Sequence, residues 1–129
     1  MQDKVREFHS KFGVNVGESV GFRDVDLRID LINEEVMELK DAVEDEDMVG
    51  AADALADILY VVFGAAVTWG IPLESVFNIV HEHNMRKVGG AIRDDGKILK
   101  PKGWIGPEEE IRELLGIVAK DEEEVDFDD

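Results

Sequence analysis

The sequence predicts an all-α fold: a four-helix-bundle-like domain followed by a small hairpin and a short helix. Three observations predict it. Apolar residues recur at helical spacing through most of the chain. Glycine, proline and aspartate stand at the ends of those segments, where they punctuate helices. The stretch ADALADILYVV, beginning at Ala52, is apolar around most of its circumference. Such a helix belongs at the centre of a bundle.

Each element follows from local pattern. Residues 3–12 read as a short helix with Val5, Phe8 and Phe12 on one side. Gly13 to Gly21 is a glycine-containing loop. Asp24 or Asp26 can cap a second helix that runs to about Glu44. An acidic turn, Glu44 to Asp47, leads to a third helix from about Met48 to Trp69, stopped by Gly70. Pro72 opens a fourth helix, expected to end at Gly89 and Gly90. Ile92 to Leu99 reads as a hairpin around Asp95 and Gly96, and Pro107 opens a last helix to about Val118. Residues 1–119 are expected to form one domain and 120–129 an acidic, disordered tail.

Composition narrows the function. With no cysteine there is no disulfide and no thiolate-held zinc or iron–sulfur site, which fits a reducing, cytoplasmic setting. The N-terminal residues are charged from Asp3 onward, unlike a secretory leader. The longest uninterrupted apolar run, Ile58 to Val67, has ten residues. A membrane span needs about 20, so the expectation is a soluble protein without a membrane partner. The net charge is −17. Asp121 to Asp129 carries seven acids and no base, which leaves −10 on residues 1–120. A body that acidic is not expected to bind nucleic acid. One stretch reverses the sign: Arg86 to Lys102 has six bases and two acids. A polyanionic ligand would be welcomed by side chains there.

Five carboxylates carry the chemistry. Glu34, Glu35 and Glu38 lie in LINEEVMEL, and Asp53 and Asp57 lie in the apolar third helix. On the second helix Ile32, Val36, Leu39 and Val43 form the apolar stripe, with Glu35 about 60° from its centre. The acids thus emerge at the edge of the buried face. Asp53 and Asp57 share a face with Gly50, Ala54, Val61 and Gly64, whose small side chains leave room for a ligand or a close helix. Arg28 and Lys40 do not offer enough counter-charge. The glutamates alone fit a solvated face, but two aspartates in an apolar helix do not. An oxygen-only ligand set suits Mg²⁺, or else Mn²⁺.

These residues resemble the all-α NTP pyrophosphohydrolase superfamily, which includes the MazG-like proteins and the phosphoribosyl-ATP pyrophosphohydrolases. That family is marked by E-E-x-x-E on one helix and E-x-x-D on the next. Glu34, Glu35 and Glu38 match the first part, and Asp57 matches the final aspartate. The expected glutamate falls on Ala54, and Asp53 stands one residue earlier as its replacement. REFHSKFG from Arg6, HNMRK from His83 and DGKILK from Asp95 are similar to the phosphoribosyl-ATP pyrophosphohydrolase-like branch.

The resemblance implies Mg²⁺-dependent cleavage of a nucleoside triphosphate between the α- and β-phosphates, giving monophosphate and pyrophosphate. It implies Glu35, Glu38, Asp53 and Asp57 as metal ligands, with Glu34 or Glu35 as general base. Asn84, Arg86 and Lys87 would meet substrate, with Lys97 and Lys100 as weaker candidates. It also implies a homodimer or a dimer of dimers. His9, His81 and His83 are read as surface or packing residues, and Phe63 and Trp69 as core. Phe12, Phe22 and Trp104 are the candidates for stacking on a base. Two alternatives stand beside the enzyme: a non-catalytic acidic helical binding protein, and an inactive nucleotide-binding relative, which Ala54 motivates.

Overall fold

The computed structural model describes residues 1–117, so the acidic tail and the expected helix end at Val118 lie outside the described residues. Among the described residues there are five helices: α1 (Gln2–Phe12), α2 (Val25–Glu44), α3 (Met48–Trp69), α4 (Leu73–Asn84) and α5 (Glu108–Leu115). The all-α expectation holds. The chain divides into two compact units, Met1–Leu73 and the residues from Glu74 onward.

In the first unit α3 packs most extensively on α2 and next on α1. The α2–α3 contact repeats every seven residues on both helices, in antiparallel order. Ala42 meets Gly50, the Glu35 carboxylate meets that of Asp57, and Arg28 lies over Gly64. Seven residues are two helical turns, so one face of each helix forms a continuous seam. The face of α3 toward α1 carries Phe63 and Val67, which with Val5 form a buried cluster joined by Val16 and Leu73. By length and composition α3 is long and apolar enough to cross a membrane, with mean hydropathy 1.6. Its packing against α1 and α2, and the two aspartates it carries, are those of a bundle helix.

The loop of residues 13–24 closes the end of α3. The last carbonyls of a helix lack intrahelical partners. Here the loop supplies them: Gly17 N donates to Val67 O, Arg23 Nη1 to Thr68 O, and Gly21 N to Trp69 O. Gly17 is required by this approach, because a Cβ there would collide with the Thr68 carbonyl. Gln2, at the start of α1, uses both ends of its amide. Its nitrogen donates to Ile71 O and its oxygen accepts from Leu73 N, which fixes the turn between α3 and α4.

Several local expectations are corrected. Asp24 occupies the position before α2, but it sits in the left-handed region (φ 49°) and its side chain caps nothing. Its carboxylate instead accepts from Asn15 Nδ2. Asp47 does cap α3, accepting from Gly50 N at 2.9 Å. α4 ends at Asn84, five residues before Gly89. The His83 carbonyl there accepts from the Trp104 indole at 2.7 Å and from Arg86 N in a tightened turn. It is thereby drawn away from continuing the helix. The expected hairpin is reduced to a single antiparallel bridge, Ile92 with Ile98, closed by a turn in which Gly96 has φ 94°. α5 stops at Leu115, before a left-handed Gly116.

Candidate functional site

The seam between α2 and α3 changes character along its length. At one end small residues leave a groove of about 280 Å³ floored by Ala42, Gly50 and Ala54 and rimmed by Glu38, Asp41, Asp45, Asp47 and Asp53. At the middle, carboxylate oxygens of Glu35, Glu38 and Asp57 lie within 4.8 Å of one another. At the far end, two turns from Glu35, lies the buried guanidinium of Arg28. The apolar seam holds these groups in place, and Glu35 and Asp57 are partly buried as a result.

Glu35 bears the strain of this arrangement. Its Oε2 is buried and has no hydrogen-bond partner. Its carboxyl is pushed up to about 7, first by a hydrogen bond with Glu38, then by burial and by the charges of Glu38, Asp57 and Glu34. Three acids converge here, with one oxygen orphaned and the affinity of Glu35 for a proton raised. A hard divalent cation fits: it takes oxygen ligands only, satisfies the orphaned atom and removes the repulsion.

The expected site residues fall into three sets. Glu35, Glu38 and Asp57 are brought together. Glu34 and Asp53 lie outside that group and are exposed, Asp53 on the rim of the groove beside Glu38. Asn84, Arg86, Lys87, Lys97 and Lys100 belong to the second unit. Among them Lys87 is partly buried and the others are exposed. Lys87 and Lys100 both hold their ammonium groups against the Trp104 ring, 4.9 and 5.5 Å from its centroid.

Three residues matter more than their sequence reading suggested. Arg28 is 4% exposed, and its Nε is buried without a partner. It fits because position 64 is glycine: a Cβ there would lie 2.5 Å from Arg28 Nη2 and 3.4 Å from His9 Nε2. Burial lowers the Arg28 pKa, partly offset by Asp24. His9, taken as an edge residue, is buried with Nδ1 3.0 Å from Asn15 O. Burial holds its imidazole below the ordinary 6.5; the Asn15 hydrogen bond opposes this, and Arg28 and Arg6 add to it. The signal for Arg28 was available, since it sits one turn before Ile32 on the apolar stripe of α2. His83, also taken as surface or packing, is buried and bonded through both ring nitrogens. Of the aromatic candidates, Phe12 rests on Phe8, Phe22 meets Trp69 edge-on, and Trp104 meets His83 edge-on.

Comparison with known proteins agrees with this geometry. The family model for phosphoribosyl-ATP pyrophosphohydrolase matches residues 5–84, which run from α1 to the end of α4. An uncharacterized protein of Acanthamoeba polyphaga mimivirus is 50% identical over 58 residues, covering 40% of this chain and 23% of that protein. The chain thus spans about a quarter of the length of that curated relative. The family match takes in more than half of the chain and both helices that carry the carboxylate cluster, so the chain belongs to the phosphoribosyl-ATP pyrophosphohydrolase family, part of the MazG-like all-α NTP pyrophosphohydrolase superfamily.

Proposed function

We propose that this protein is a Mg²⁺-dependent nucleoside triphosphate pyrophosphohydrolase, cleaving between the α- and β-phosphates to release a nucleoside monophosphate and pyrophosphate. The observation that carries this reading is the convergence of Glu35, Glu38 and Asp57, with one buried oxygen orphaned, inside the segment matched by the family. Glu35, Glu38 and Asp57 would hold the cation, with Asp53 reaching it from the groove rim. Bound there, Mg²⁺ supplies charge neutralisation for the phosphates and a more acidic water.

The chain's own groups do the rest. Glu34, exposed beside the cluster, or Glu35, with its raised affinity for a proton, would accept the proton of the attacking water. Asn84, Arg86 and Lys87 would bind sugar and phosphate oxygens, and Lys97 and Lys100 would add positive charge to the leaving pyrophosphate. Phosphoryl chemistry asks for positioning and charge stabilisation more than covalent help, and this residue set offers both. We place the enzyme in the cytoplasm as a homodimer or dimer of dimers.

The test is release of pyrophosphate from a panel of NTPs, dNTPs and phosphoribosyl-ATP, with Mg²⁺ and with EDTA. Pyrophosphate and monophosphate should appear only with the metal. Glu38→Gln and Asp57→Asn should each lower kcat/KM by at least about 100-fold while helical circular dichroism is unchanged. Saturable Mg²⁺ and nucleotide binding without turnover would favour the inactive relative that Ala54 motivates. Indifference to Mg²⁺ would favour a non-catalytic acidic binding protein.

A further inference from the structure

His83 is held by acceptors on both sides. Its Nδ1 lies 2.9 Å from the Ile105 carbonyl, and its Nε2 lies 2.9 Å from Glu110 Oε1. A carbonyl only accepts, so Nδ1 carries a proton. An ionised carboxylate also only accepts, and the Glu110 side chain is about half exposed. Both contacts are therefore satisfied together by the imidazolium, with a proton on each nitrogen. The His83 pKa is accordingly raised above 6.5: the Ile105 hydrogen bond contributes most, then that of Glu110, with burial opposing. The charged groups that face the ring are Glu110 from α5 and Arg86 from the turn after α4; Glu110 favours the cation and Arg86 opposes it.

The same residue grips a third point. Its backbone carbonyl accepts from the Trp104 indole, and its ring meets the Trp104 ring edge-on at 6.4 Å. Trp104 is the surface on which Lys87 and Lys100 both rest their ammonium groups. Without that ring, two flexible lysines would have to be ordered by the ligand itself, at an entropic cost to binding.

We propose that His83, as a doubly hydrogen-bonded cation, is a positioning residue that fixes Trp104 as a shelf for Lys87 and Lys100, so that the shelf sets affinity for the polyphosphate part of the substrate. This rests on the reading that these lysines meet phosphate. It assigns a role to Trp104 as well, as an aromatic support for two cations rather than a platform for a base. When His83 loses its extra proton, one ring nitrogen presents a lone pair to an acceptor. The grip on residues 104–110 then loosens and the shelf with it. Substrate affinity should weaken as pH rises through the His83 pKa, with the effect in KM rather than kcat.

Three measurements on the full chain test this. The ¹⁵N shifts of the His83 imidazole should report a doubly protonated ring that titrates above 6.5. Glu110→Gln should move that titration downward. It should move the pH at which KM rises downward by the same amount, leaving kcat within about twofold. Binding of inorganic pyrophosphate, measured by calorimetry without turnover, should weaken about tenfold in Trp104→Ala and much less in Trp104→Phe, which keeps the ring face. A neutral His83 at pH 6, a KM profile that ignores Glu110→Gln, or unchanged pyrophosphate binding in Trp104→Ala with normal turnover would overturn the proposal. Trp104-dependent pyrophosphate binding in a protein that hydrolyses no nucleotide would sink the activity and leave the positioning role standing.

Discussion

At Glu35 the cost of the site is concentrated in one carboxyl group, and it makes a pH-dependent prediction. Its value of about 7 in the folded protein stands above the ordinary 4.5, because the hydrogen bond to Glu38, burial and neighbouring acids all favour the protonated form. Between those two values the folded chain binds more protons than the unfolded one. Stability from this group is present below pH 4.5 and is lost as pH rises through 7. A divalent cation competes for the same oxygens, so Mg²⁺ should bind more weakly below pH 7 and reach its full affinity above it. Thermal melts with and without Mg²⁺ across pH 5–9 should show the metal's stabilising increment growing through neutrality. An increment independent of pH would remove Glu35 from the ligand set. Spacing put five acids at the edge of apolar stripes; the three that converge are among them, and Glu34 and Asp53 lie outside the group. Arg28 had a local signal in its place on the α2 stripe, His9 and His83 had none, and the space that each of the three fills was not legible. Each depends on a distant partner: Gly64 for the first two, and Ile105 with Glu110 for the third.

At the scale of elements, the seven-residue step of the α2–α3 seam puts a glycine at each end of it. Gly50 lies against Ala42, and Gly64 leaves room for the Arg28 guanidinium. Gly64 is the sharpest case, because the guanidinium over it is buried and cannot swing into water. Gly64→Ala should destabilise the protein by about 1–3 kcal/mol through overpacking. If the clash with Arg28 is the cause, the variant combining Arg28→Ala with Gly64→Ala should lose markedly less than the sum of the single changes in urea denaturation. Additive losses would place the strain elsewhere. Helix boundaries followed the same division between local and distant causes. α3 begins and ends where its own aspartate cap and glycine stop place it. α4 ends early because the Trp104 side chain, twenty-one residues from His83, claims a carbonyl at its end.

At the scale of the molecule, α3 keeps an apolar face uncovered among the described residues. Its two inner faces meet α2 and α1. About 160° from the acid-bearing face, by helical period, lies a third stripe of Met48, Leu55 and Leu59. All three are exposed, Leu55 at 54% and Leu59 at 51%. A helix apolar on every side is stable in water only when every side is covered. With a net charge of −17, general aggregation is opposed by repulsion, so the stripe calls for a specific apolar partner. A second copy presents a matching apolar stripe, and a twofold axis lets each chain cover the other. Sedimentation at micromolar concentration should therefore give at least twice the chain mass. Leu59→Asp, which would bury a charge in that contact, should weaken association by at least about 100-fold. The Glu35–Asp57 seam lies on the other side of α3, so the substituted chain should retain its Mg²⁺ site as a monomer. A wild-type chain that sediments as a monomer would show that α3 tolerates an uncovered apolar face.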